Sequence, residues 1–280
     1  MNKIRWRITK DKLFKSIVFL LSITTFSPLV FILYFITKKG IKSMNLEFFT
    51  TLPNPPGEPG GGIANALTGT IVIVLIAAII AIPIGLLTGI FLNEYRKSKI
   101  STILCTGIDV LMGTPSIVFG IIAYIWIVKP LKSFSAISGS IALAIMMLPI
   151  IIKSTEETLK LIPKNLKEAS LALGVPNYRT ILRVVLPASA SSITNGILLS
   201  IARVSGETAP LLFTSFGNSF FNINILKPMD SLPLLIFNYA TSPYDNWINL
   251  AWGASLVLII LVLVLNIISR IGAKRWKVKF

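Results

Sequence analysis

Two opposite charges, Arg203 and Glu207, stand four residues apart in an otherwise apolar run from about 190 to 213. A guanidinium near the centre of a bilayer-spanning helix is disfavoured by about 2.5 to 3.5 kcal/mol on insertion scales, so such a residue usually faces a partner or a pathway. If the run is one helix, the spacing places both side chains on one face. Two chemistries fit. The pair could be a bridge that locks two helices together. Alternatively, the guanidinium could offer two parallel donors to a tetrahedral oxyanion in a water-lined cavity, with Glu207 orienting it. Thr208, Ser205 and Asn195 could add neutral donors. Asp109, in another apolar run, reads as a partner for a helix end or a nearby Lys or Arg and receives no role.

Covalent chemistry has little to work with. The chain has no His and a single Cys105, which removes the commonest metal ligand and general base and excludes an internal disulfide. No metal site, Ser/His pair or paired Asp is visible within the apolar runs, and no Gly-x-x-x-x-Gly-Lys-Ser/Thr phosphate loop occurs. The chain is therefore expected not to be an enzyme and to carry no cofactor.

The elements that would position these charges are membrane helices. Of 280 residues, 54% are hydrophobic and 14% charged, with mean hydropathy +0.78, where an ordinary soluble domain has about 25% charged residues. An all-α, polytopic fold with six spans is expected, at about 16–37, 66–92, 102–128, 136–152, 190–213 and 247–269, the first of them long enough for about 30 Å of hydrocarbon. The first span reads as retained, since it lacks the short core and small-residue cleavage site of a signal peptide. It is followed by a Pro- and Gly-rich loop ending near residue 63. Pro83, Pro115 and Pro149 interrupt three spans and predict kinks or close crossings. Gly85 and Gly89 have small-xxx-small spacing, which serves either packing within the chain or dimerisation.

The net charge of +16 follows the spans rather than a nucleic-acid module. Twenty of the 27 Lys and Arg lie in 1–15, 96–99, 153–183 and 270–279, and six in the intervening loops. That asymmetry places both termini, and segment 153–187, in the cytoplasm.

Segment 153–187 is a polar island. Asn165 and Glu168 have the spacing of a capping box, Gly174 suits a left-handed helix end, Pro176 stops the first helix, and Asn177 could cap a second starting at Tyr178. A rigid elbow is the expected product, whether its role is purely structural or to seat on another subunit.

Glu168-Ala169-Ser170, then Gly174, then Val184-x-Leu186-Pro187 resembles the coupling loop of permease subunits of bacterial ABC importers, with Ser170 and Val184 standing for Ala and Ile. The run Ala202-Arg203-Val204-Ser205-Gly206-Glu207-Thr208-Ala209-Pro210-Leu211-Leu212-Phe213 is similar to the fifth-helix signature of the PstA group of phosphate permeases. Pro115-Ser116-Ile117-Val118-x-Gly120, Asn93-Glu94-Tyr95 and Ser242-Pro243-Tyr244-Asp245-x-Trp247 agree with it. The resemblance covers about 61–270. It implies a type I importer permease with a MetI-like core at 64–270, preceded by an N-terminal part at 1–63 and followed by a basic tail at 271–280. It also implies a bacterial plasma-membrane location and a phosphate pathway shared with a homologous permease, PstC. Two PstB ATPase subunits holding ATP and Mg²⁺, and a phosphate-binding protein, PstS, would complete the system. In this reading Arg203, Glu207 and Thr208 line the substrate pathway, and Glu168, Ala169, Gly174, Leu186 and Pro187 couple it to the ATPase. Another oxyanion, such as molybdate or sulfate, is the alternative substrate, and a reporting role in phosphate signalling could coexist with transport.

Overall fold

Helices in lipid must satisfy their polar groups internally. The first helix, α1 (Asn2–Gly40), does so for four of its hydroxyls: Ser22, Thr24, Thr25 and Thr37 each donate to the carbonyl four residues earlier. The computed structural model describes residues 2–275, so the end of the expected basic tail, 276–280, lies outside the described residues. The apolar stretch of α1 is unburied by the rest of the chain. Near its end Gly40 lies directly against Trp252 and Leu256 of the last helix.

A short helix, α2 (Leu46–Thr50), follows, capped by Asn45, whose side chain accepts from the Phe48 amide at 2.7 Å. The Pro/Gly loop then folds back on it, and the Ile63 amide donates to the Phe48 carbonyl at 2.9 Å. This leads into α3 (Ala64–Glu94), whose 31 residues pass through Pro83 without a break.

The expected third span is two arms rather than one helix. α4 (Lys99–Gly113) and α5 (Ser116–Ala123) are separated by a bend of 108°. Pro115 causes it: its ring denies an amide to the turn and pushes Thr114 out of the helical region, to φ −80° and ψ 132°. The second arm continues through a π-turn at Tyr124–Val128 into α6 (Lys129–Leu131).

α7 (Ala136–Lys160) is the centre of the molecule, with Ala142, Leu143, Met147 and Ile151 fully buried against α3, α5 and the helix before Arg203. Gly85 and Gly89 of α3 explain the intimacy of one seam. A Cβ on Gly85 would stand 2.7 Å from Ile151 Cγ2, and one on Gly89 would stand 2.7 Å from Thr155 Cβ. The small-xxx-small spacing thus serves packing within the chain.

Beyond α7 come α8 (Lys164–Ala172), α9 (Asn177–Thr180), a second π-turn at Ile181–Val185 and α10 (Leu186–Val204). Each π-turn ends two residues before a proline, Pro130 or Pro187. The amides of Lys129 and Leu186 reach back five residues, to Tyr124 and Ile181. A proline ring crowds the carbonyl four residues earlier, and a widened turn is a way to relieve it without a sharp kink.

α10 differs from the expected span at both ends. The helical stretch runs from Asn177 to Val204, not from 190 to 213. Ser205-Gly206 end the helix, and α11 (Ala209–Leu212) is a separate turn. An irregular segment reaches α12 (Leu232–Ala240), a short apolar helix between the last two expected spans, and α13 (Asp245–Arg275) closes the chain. The fold is all-α, with no strand among the described residues. Among the described residues five helices are long and apolar enough to cross a membrane, and six if the bent pair counts as one span.

Candidate functional site

Arg203 sits in the last turn of α10, and Glu207 lies beyond the helix end. The two are therefore not on one helical face, as their spacing had predicted. They meet across the turn that terminates α10, with Arg203 Nε 3.9 Å from Glu207 Oε1. That separation is an ion pair without a hydrogen bond. The Arg203 side chain is 59% exposed and that of Glu207 20%. A helix C-terminus carries partial negative charge from its free carbonyls, which favours a cation there.

The neutral donors divide. Ser205 is buried and its hydroxyl donates to the Ile201 carbonyl at 2.7 Å, so it is committed to its own helix and is not offered to a ligand. Thr208 is half-buried and opens α11, its carbonyl accepting from the Leu211 and Leu212 amides. Asn195 is exposed two turns before Arg203 on α10.

A second charge pair within the helices was hidden by the sequence. The fourth expected span stops at 152, but α7 continues to Lys160 and so includes Lys153. Its Nζ lies 2.9 Å from Asp109 Oδ1 of α4, the kind of partner Asp109 was expected to have. Both line a cavity of about 600 Å³ with Ser154, Glu157 and Leu199.

The elbow forms, by different contacts from those expected. α8 begins at Lys164 behind Pro163 with no side-chain cap, so Asn165 lies inside the first turn and the capping box with Glu168 is absent. Pro176 holds the corresponding place before α9, so Asn177 is its first residue rather than its cap. The proline rings set φ for the helix start in both cases. The other end follows the expectation. Gly174 adopts φ +77°, its amide donates to the Leu171 carbonyl at 2.9 Å and the Val175 amide to Ser170 at 3.4 Å. That is a Schellman end, which glycine alone enters without strain.

Ser170, a stand-in for alanine in the motif, has a job of its own. Its hydroxyl pairs with that of Thr180 at 2.9 Å, both buried, and closes α8 onto α9. The outer surface of the elbow presents Glu168 and Ala169, with Leu173 84% and Tyr178 61% exposed. Leu186 lies away from this tip, packed with Leu159, Val185 and Ile193, and Pro187 is exposed in the first turn of α10.

Glu94, the last residue of α3, belongs to the matched Asn93-Glu94-Tyr95 run, but its role as an anchor is visible only in the fold. Its Oε2 accepts from Lys167 Nζ of α8 at 2.5 Å and from Asn177 Nδ2 of α9 at 3.3 Å.

At the opposite end of α3, Asp230 is buried between Asn65 and Ser231. It accepts from the Ser231 amide at 2.8 Å and the Asn65 amide nitrogen at 3.3 Å, and has no cation partner among the described residues. Burial pushes its carboxyl up to about 7, opposed by the hydrogen bond from the Ser231 amide. Its backbone is seated on Gly69, where a Cβ would collide with the Asp230 carbonyl.

The family described as "Binding-protein-dependent transport system inner membrane component" matches residues 81–278. Among individual relatives, the chain is 45% identical to a phosphate transport system permease protein PstA of Yersinia pestis, over 87% of this chain and 83% of that one. It is 39% identical to the protein of the same name from Haemophilus influenzae, over 95% and 94%. A Mycobacterium tuberculosis relative, PstA 1, is 39% identical over 86% and 81%. Among solved structures, an inward-facing MetNI methionine ABC transporter aligns with TM-score 0.66 at 17% identity, covering 76% of this chain and 95% of that one. An amino acid ABC transporter crystallised with histidines aligns with TM-score 0.55 at 16% identity, covering 76% and 93%. Those two likenesses concern the fold. The matched residues and the relatives' identity over most of the chain lead to one conclusion: this chain belongs to the family of binding-protein-dependent transport system inner membrane components, in its PstA group.

Proposed function

We propose that this chain is a permease subunit of an ATP-driven importer and carries inorganic phosphate across the bacterial plasma membrane. The observation that carries the reading is Arg203, a largely exposed cation in the last turn of an apolar helix, held only loosely by Glu207. A guanidinium in that position can meet a tetrahedral oxyanion with two parallel donors, and Glu207 keeps it aimed without neutralising it. Thr208 lies one residue on, within reach of the same turn. The names of the relatives select phosphate among the oxyanions.

Transport in this reading is alternating access, with no covalent step in the chain. ATP and Mg²⁺ belong to a pair of partner ATPase subunits, because this sequence has no phosphate loop. The elbow at Glu168, Ala169 and Gly174 docks on them through its exposed apolar tip, Leu173 and Tyr178, and Leu186 and Pro187 pass the movement into α10. The Lys and Arg asymmetry puts the elbow and both termini in the cytoplasm. A homologous permease completes the pathway, and a phosphate-binding protein delivers the ion outside.

The test is ATP-dependent uptake of labelled phosphate into proteoliposomes containing the permease pair, the ATPase and the binding protein. Cold phosphate is expected to compete, and sulfate and molybdate to leave uptake unchanged. Preferential uptake of either competitor would sink the phosphate assignment.

A further inference from the structure

An acidic residue at a helix C-terminus meets the negative end of the dipole. Glu94 ends α3 in that position, and its side chain is only 11% exposed, so its charge needs partners nearby. It has two, and they come from the two separate arms of the elbow. Lys167 reaches it from α8 and Asn177 from α9, on either side of the Gly174 turn. The elbow is itself stiff, since its turn is a Schellman end and Ser170 pairs with Thr180 across it.

Chain continuity already joins the elbow to α7 and α10, the helices on either side of it. Nothing covalent joins it to α3. α3 lies along α7 through the Gly85 and Gly89 contacts, but those lie one to two turns or more above Glu94. From these contacts we infer that Glu94 is a positioning residue for energy coupling: it clamps the elbow to α3, so that three helices rather than two respond when the elbow moves. The inference rests on the elbow being the ATPase-docking element.

The experiment uses the assembled complex in proteoliposomes, reading phosphate uptake and ATP hydrolysis together, with the ATPase retained on the permease as a control. Glu94→Gln keeps the shape and removes the charge. It is expected to lower the phosphate moved per ATP roughly tenfold, about the worth of one charge-assisted hydrogen bond, while ATPase retention and hydrolysis persist. Glu94→Lys is expected to uncouple further, and adding Lys167→Glu to it to restore at least half of the ratio. A merely structural role would lower uptake and hydrolysis together and would give no rescue by the charge swap. Unchanged coupling in Glu94→Gln, parallel loss of both activities, or a double variant no better than Glu94→Lys would each overturn the clamp. Leu173→Cys cross-linking to the ATPase separates this from the underlying reading. A cross-link with unaltered coupling in Glu94→Gln overturns the clamp alone, whereas no cross-link overturns the docking elbow itself.

Discussion

The two ends of the helical body treat charge in opposite ways. At the elbow end, cations and carboxylates meet at short range: Lys167 with Glu94 at 2.5 Å, Lys160 with Glu156 at 2.5 Å, and Lys153 with Asp109 at 2.9 Å. At the far end, Arg203 stands 3.9 Å from Glu207, and Asp230 is buried with no cation partner among the described residues. Paired charges hold a shape. A charge left loose can meet a mobile ion, and one left alone can take up a proton. The molecule thus puts its rigid joint at one end and its adjustable electrostatics at the other.

The largest effect that would test this contrast is on Asp230. Its carboxyl ionises near 3.8 in the unfolded chain and near 7 in the fold. The folded state therefore binds the extra proton between those values, and stability falls as pH rises from about 4 to about 7. Above 7 the burial penalty is fully present, and the difference converts to about 4 kcal/mol. Thermal unfolding in detergent across that range should show the decline in the parent chain and lose it in Asp230→Asn. An identical slope in the variant would mean that the far end has no such titrating group.

Next in size is Arg203→Ala. Loss of the charged donors is expected to reduce phosphate uptake about thirtyfold to a hundredfold, the equivalent of 2 to 3 kcal/mol. Unfolding temperature should hardly move, because an exposed ion pair contributes about 0 to 1 kcal/mol. A large loss of stability with modest loss of uptake would convert Arg203 into a structural bridge and erase the contrast.

Smaller effects belong to the joint. Gly174→Val forces a branched residue into φ +77° and is expected to lower stability by about 1 to 2 kcal/mol, with coupling impaired. Ser170→Ala breaks the buried hydroxyl pair and should lose about 1 kcal/mol without altering the competition between phosphate and other anions. Both are read by unfolding temperature alongside uptake. An anion-selectivity change in either would blur the division between the two ends.

Much of this was legible in the residues. Long apolar runs predict helices whatever packs on them, and Gly174 announced its own backbone because few other residues enter that region. Local signals failed where a neighbour competed with them. Asn165 and Asn177 have the chemistry of caps, yet Pro163 and Pro176 took those places. The spacing of Arg203 and Glu207 assumed an unbroken helix, but Ser205 and Gly206 end it. For Asp109 the kind of partner was legible but not its identity, and the joining role of Glu94 was not, because each contact joins segments that are distant in sequence and near only after α3, α4, α7 and the elbow have assembled. Gly85 and Gly89 lay between these cases: the spacing said that something approached closely, and only the fold said that it was α7.

α12 has nine residues and spans about 13.5 Å, less than half the thickness of the hydrocarbon layer. It cannot enter a bilayer as an independent span. Two of its buried leucines, Leu232 and Leu235, need α3 and α13 already in place to receive them, and Thr70 must be there to accept the Leu232 amide. The far mouth is therefore a late product of biogenesis, completed only after the long helices are inserted. Pulse-labelled chains truncated before α13 should expose a cysteine placed at Leu235 to aqueous thiol reagents, and full-length chains should protect it.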